Sequence, residues 1–106
     1  MKRAAIAVLL LLAAALPSAA APKKTAEKPF TVVEASIADM QAALKSGRVT
    51  SHELVQQYLT RIATYEDKLH AIITVNPKAL EEADALDRER AAGHIRGPLH
   101  GIPIAL

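Results

Sequence analysis

Arg96 to Leu106 reads RGPLHGIPIAL, and two kinds of chain meet within it. Gly97-Pro98-Leu99-His100-Gly101 is turn chemistry: glycine supplies backbone angles closed to other residues, and proline presets φ. Ile102-Pro103-Ile104-Ala105-Leu106 is a short apolar run without alternation, the pattern of a strand covered on both faces. Pro103 has no N–H, so one ladder bond would be missing there. Nothing in the preceding residues supplies cover for both faces and partners for both edges. The reading predicts an extended strand over Gly101 to Leu106. It also predicts that the sequence is part of a longer protein.

Upstream of this segment the periodicity is helical. Leu80, Ala83 and Leu86 share one face between Pro77 and Ala92, and Glu81, Glu82, Asp84, Asp87, Arg88, Glu89 and Arg90 fill the rest, which reads as a solvated face. Asn76-Pro77 has the form of an N-cap and first helical residue, and Gly93 is placed to terminate the helix. His70 to Val75 (HAIITV) is rich in β-branched residues and predicts a short strand. Before it, Leu54, Val55, Tyr58, Leu59 and Ile62 make an apolar stripe on a helix over Ser51 to Tyr65, with Thr50 and Glu53 as its capping box. A first helix is predicted over Ile37 to Ser46, opened by a Ser36/Asp39 box and closed by Gly47. Residues 21–35, with their lysines and prolines, read as a linker.

The N-terminus has a separate logic. Lys2 and Arg3 precede an unbroken apolar run from Ala4 to Leu16, followed by Pro17 and the small residues Ser18, Ala19 and Ala20. That is the layout of a cleavable secretory leader. The run is shorter than the ~20 apolar residues of a spanning helix and ends at a proline, so no stable membrane anchor is expected after cleavage. Cleavage after Ala20 would make Ala21 the first residue of a secreted or periplasmic product. Without Lys2 and Arg3 the chain carries 11 basic against 11 acidic side chains. The basic balance belongs to the leader, and no basic patch points to nucleic acid. There is no cysteine, so neither a disulfide nor a lipoprotein anchor is expected.

Several arrangements imitate active sites. His52-Glu53-Leu54-Val55-Gln56 resembles a zinc-protease helix, but Gln56 stands where the second imidazole must be, and a carboxamide is a poor zinc ligand. Glu53 is better read as the capping partner. His70, His94 and His100 match no compact metal site. Gly93, Gly97 and Gly101 lack the spacing of a dinucleotide loop. Ser36 and Ser51 sit at helix starts, and neither they nor Ser46 has a base beside it in sequence.

RGPLHGIPIAL closely resembles the segment leading into the catalytic lysine of amidase-signature enzymes. The upstream text, VTSHELVQQYLTRIATYEDKLHAIITVNPKALEEADALDRERAAG, is similar to the helix, strand and helix that precede it in that family. The resemblance spans Ile37 to Leu106. It implies an α/β fold, a mixed central sheet between helices, of which this chain would be the mostly helical opening with one or two short strands. It also implies cofactor-free hydrolysis of a small-molecule or peptide amide by a serine nucleophile, a second serine on a cis peptide and a lysine base. The lysine follows the apolar run directly, and this sequence stops one position earlier. No catalytic, cofactor-binding or metal residue is therefore assigned in this chain, and the 106 residues are expected to be inactive. The expected division is a leader over 1–20, a linker over 21–35 and an incomplete amidase domain over 36–106. The competing reading is a small secreted helical binding module without enzymatic activity. Oligomeric state is not legible.

Overall fold

The computed structural model describes residues 27–106. The leader and the first part of the linker lie outside the described residues. Three helices follow in order: α1 (Ile37–Ser46), α2 (Ser51–Leu69) and α3 (Ala79–Ala91).

Both capping boxes form. Asp39 N–H donates to Ser36 Oγ at 3.1 Å, and Ser36 N–H donates to Asp39 Oδ2 at 2.9 Å. Glu53 N–H donates to Thr50 Oγ1 at 3.1 Å, and Thr50 N–H donates to Glu53 Oε2 at 2.8 Å. Each box satisfies amides that a helix start leaves open. Gly47 closes α1 with φ 73°, left-handed as expected, while Arg48 N–H reaches back to Ala43 O.

The helix limits differ from the sequence reading at two places. α2 runs to Leu69, past Tyr65, because Glu66-Asp67-Lys68 contains no breaker; His70 ends it in a left-handed conformation (φ 49°). α3 begins at Ala79, not Pro77. Asn76 does not cap it. Its side-chain oxygen accepts from Lys78 N–H at 2.9 Å and its carbonyl from Ala79 N–H, so Asn76 to Ala79 forms a turn before the helix. Asparagine commonly bonds the backbone two residues on in this way.

No strand occurs among the described residues, which corrects both strand expectations. In HAIITV, Ile73 is fully exposed and Val75 is 39% exposed. The Ile72 N–H is taken by the Glu66 carboxylate, 3.1 Å from each oxygen, not by a neighbouring strand. The β-branched run had the right residues but no partner, and a strand is made by its neighbours' hydrogen bonds. The second predicted strand fails likewise. Ile102 is buried, but Ile104 and Leu106 are exposed, and the Ile102 N–H donates to Leu99 O inside the turn. The mostly helical character is as expected, while the mixed central sheet of the α/β class remains an implication of the resemblance.

The core lies between the N-terminal half of α2 and its neighbours. Met40, Ala43 and Leu44 of α1 pack with Val49, Leu54 and Ile102, and Val32 joins them from the stretch read as linker. Phe30 and Val32 are fastened by one side chain: Gln57 Nε2 donates to Phe30 O and Gln57 Oε1 accepts from Val32 N–H, both at 3.0 Å. Leu54 is fully buried, whereas Tyr65 and Leu69 at the far end of α2 are exposed. Of the predicted stripe, Leu54 and Val55 are buried and Tyr58, Leu59 and Ile62 half-buried, and the exposed residues lie beyond it.

Candidate functional site

α2 and α3 pack against each other, and polar contacts fasten their junction. The start of α2 shows how. The Thr50 box serves the Glu53 amide but leaves those of Ser51 and His52, and Asp87 of α3 takes both: Ser51 N–H donates to Oδ1 at 2.7 Å and His52 N–H to Oδ2 at 3.0 Å. A carboxylate there also suits the positive end of the helix dipole. Beside it His52 Nδ1 lies 2.7 Å from Asp84 Oδ1.

His100 is the centre of the turn. It is 6% exposed, and both ring nitrogens are used. Nδ1 accepts from Arg96 N–H at 3.2 Å, which assigns the proton to Nε2, where it faces Leu86 O at 2.9 Å. The His100 carbonyl accepts from Arg90 Nη2 at 2.8 Å. Leu86 and Arg90 are one turn apart on α3, so both anchors ride on the same helix face.

Gly101 meets α2 directly. Its φ is 81°, and a Cβ placed on it would lie 2.0 Å from Ser51 Oγ. Ser51 is fully buried, and neither its Oγ nor Arg90 Nε has a hydrogen-bond partner. A buried hydroxyl without a partner is a cost, so Ser51→Ala is expected to be neutral or stabilising by up to about 1 kcal/mol. Urea titration followed at 222 nm checks this; a loss above that size would show that the hydroxyl is bonded in solution.

Next to the turn, α3 and Ile102-Pro103-Ile104 border an open groove of about 280 Å³, lined by Val55, Ala83 and Leu86 among others. Among the residues lining it there is no pair that could act as nucleophile and base. Ser36 Oγ is bonded to Asp39, and Ser46 Oγ donates to Ala43 O. Among the described residues no three His, Cys, Asp or Glu side chains converge to hold a metal. His70 caps α2, His94 is exposed and His100 is buried in the turn, so the three histidines are not brought together. Glu53 acts as the capping partner, as read from the sequence.

The acidic run of α3 corrects its reading as a solvated face. Asp84, Asp87 and Glu89 each make a tertiary contact, and only part of the run faces water. The spacing of Asp84 and Asp87 gave no signal, because their partners lie 32 and 36 positions away in sequence. Glu89 holds the Arg96 guanidinium in a two-pronged ion pair, with Arg96 Nε donating to Oε2 at 2.7 Å and Nη2 to Oε1. The Arg96 bond holds the Glu89 carboxyl below its ordinary range, as the Ser36 bonds do for Asp39. A lowered folded-state pKa means stabilisation present at neutral pH and lost as pH falls through the carboxylate range. We expect helicity and protease resistance to decline on acidification below about pH 4.5, with Glu89→Gln and Asp39→Asn flattening that decline. An unchanged acid profile in both variants would refute it.

These helices and the fastened turn define a helical platform carrying an apolar segment away from it. The family profile for amidase matches residues 53–106, and the chain belongs to the amidase family. One component of the glutamyl-tRNA(Gln) amidotransferase of Thermobifida fusca is 44% identical over 75 residues, 70% of this chain and 15% of that protein. The native peptide amidase of Stenotrophomonas maltophilia superposes with a TM-score of 0.64 at 49% identity, covering 66% of this chain and 15% of that one. A peptide amidase in complex with the competitive inhibitor chymostatin gives a TM-score of 0.65 at the same identity and coverage. The chain thus spans about 15% of the length of the relatives it matches.

Proposed function

We propose that this chain is the N-terminal part of an exported amidase that hydrolyses carboxamide C–N bonds of a small-molecule or peptide substrate. The reaction would use a serine nucleophile, a second serine on a cis peptide and a lysine base, without a cofactor. The observation that carries the reading is the RGPLHGIPIAL segment, buried at His100 to Ile102 against α2 and α3, in a chain of the amidase family. The physical logic is that a lysine accepts a proton only when neutral, and a dry site lowers its pKa far enough. The likeness to peptide amidases favours a peptide amide among possible substrates. Export rests on the leader layout of Lys2 to Ala20 and not on the relatives.

On this reading the lysine and both serines lie outside these 106 residues, and the chain alone is proposed to be inactive. The test is ammonia release from a panel of carboxamides, comparing the purified chain with the product of the complete reading frame. Activity in the complete product and none in the short chain is expected. Hydrolysis by the short chain would overturn the inactivity and make Ser36, Ser46 and Ser51 the first alanine substitutions. No hydrolysis by either would leave the binding module as the better account. For export, N-terminal mass spectrometry should find Ala21 as the first residue of the secreted product; an intact leader in a membrane fraction would contradict it.

A further inference from the structure

The geometry points to Arg90 and His100 as positioning residues, which hold the backbone from Arg96 to Ile102 in one arrangement on α2 and α3 and so set the direction in which the apolar segment leaves them. This deepens the amidase reading and rests on it, because that reading places the catalytic base next along the same segment.

A plain connection between a helix and an extended segment needs none of the bonds found here. A solvated turn would leave its polar groups to water. Instead His100 is taken into the interior, where an imidazole is costly unless its nitrogens are satisfied, and both are. Its ring is tied to Leu86 O of α3 and to the Arg96 amide, and its main chain to Arg90 Nη2. The turn closes on itself through His100 N–H to Gly97 O at 3.1 Å and Ile102 N–H to Leu99 O at 3.0 Å. Gly101 is then pressed on Ser51, the first residue of α2, with no room for a side chain. The backbone is thereby held from two helices. Gln41 of α1 adds a third attachment, Nε2 donating to Pro98 O at 2.6 Å.

The fastening stops at a definite place. Ile102 is buried in the core, whereas Ile104 and Leu106 are exposed. The segment is therefore aimed at its root. A group carried by such a segment moves with the root, and a displacement of about 1 Å at a reacting centre can lower a rate on the order of 10²-fold. Neither Arg90 nor His100 needs to touch substrate for this.

The experiment uses the product of the complete reading frame with His100→Ala, Arg90→Ala and Arg90→Lys, and reads steady-state kinetics, the unfolding midpoint and hydrogen exchange at the Arg96 and Ile102 amides. The expected result is a kcat loss on the order of 10²-fold in the alanine variants with KM little changed. Arg90→Lys, which keeps a donor, should recover part of kcat. Exchange at Arg96 should accelerate in His100→Ala, whereas distant α1 amides should keep their protection. Wild-type kcat in Arg90→Ala, or kcat falling only in step with the unfolding midpoint and without rescue by lysine, overturns the proposal. If the wild-type product hydrolyses no amide, the amidase reading fails by itself and exchange alone decides the clamp: unchanged protection at Arg96 in His100→Ala refutes it, and local acceleration supports it.

Discussion

Gly101→Ala is expected to abolish the helical signal of the chain at 25 °C. Two costs coincide at this residue. Its φ of 81° lies in the left-handed region, where a Cβ costs roughly 1–2 kcal/mol. The same Cβ would stand 2.0 Å from Ser51 Oγ and 3.2 Å from Ser51 Cβ, so one backbone must move in a packed region. Overpacking of this sort adds about 1–3 kcal/mol. The combined loss, about 2–5 kcal/mol, is comparable to the few kcal/mol that so small a core supplies. The two costs can be separated. Ser51→Ala removes the 2.0 Å contact and leaves the backbone strain, so Gly101→Ala in a Ser51→Ala background should recover about half of the loss. Ellipticity at 222 nm across urea, for both singles and the double, measures it. Strict additivity would mean that Ser51 is not the obstacle.

Local chemistry explains which parts of this fold were legible in the sequence. Ser36 with Asp39 and Thr50 with Glu53 are complete within four residues, so both helix starts could be read and both formed. Gly47 was legible because a helix end with a left-handed residue selects glycine. HAIITV was misread because β-propensity records how residues fit a pleated surface, and here the surface is missing. Asn76 was misread because the same side chain serves a turn as readily as a cap. The tertiary polar contacts were not legible at all. Asp87 and Ser51 are 36 positions apart, and Leu86 and His100 are 14 apart. Nothing local marks either acidic or imidazole group as an inward one. Val32 was hidden in a stretch whose lysines and prolines suggested a linker, yet it reaches the core because Gln57 holds the chain beside it. The family was legible only through the resemblance of RGPLHGIPIAL and the text before it to amidase-signature sequences. The role of His100 within that segment needed the structure.

Asp87→Ala is expected to destabilise the α2–α3 junction by about 2–3 kcal/mol. α2 opens with four amides that lack intrahelical partners. The Glu53 amide is met by Thr50 Oγ1 and the Thr50 amide by Glu53 Oε2. The Ser51 and His52 amides remain, and the Asp87 carboxylate takes one on each oxygen. Hydrogen bonds to a charged acceptor contribute about 1.5–3 kcal/mol each, and an anion at a helix start adds about 0.3–1 kcal/mol. The site is only half-buried, so water replaces part of the lost bonding and the expected total falls below the sum of these contributions. Asp87→Asn retains one acceptor oxygen without the charge and should lose roughly half as much. Because Asp87 is shared between helices, the loss should appear at both. Exchange of the Ser51 and His52 amides should accelerate together with weakened α3 protection. Added salt should narrow the gap between the wild-type chain and Asp87→Asn by screening the dipole contribution. Loss confined to α3, with the Ser51 amide still protected, would show that the Thr50 box alone secures the start of α2 and that the carboxylate bridge is dispensable.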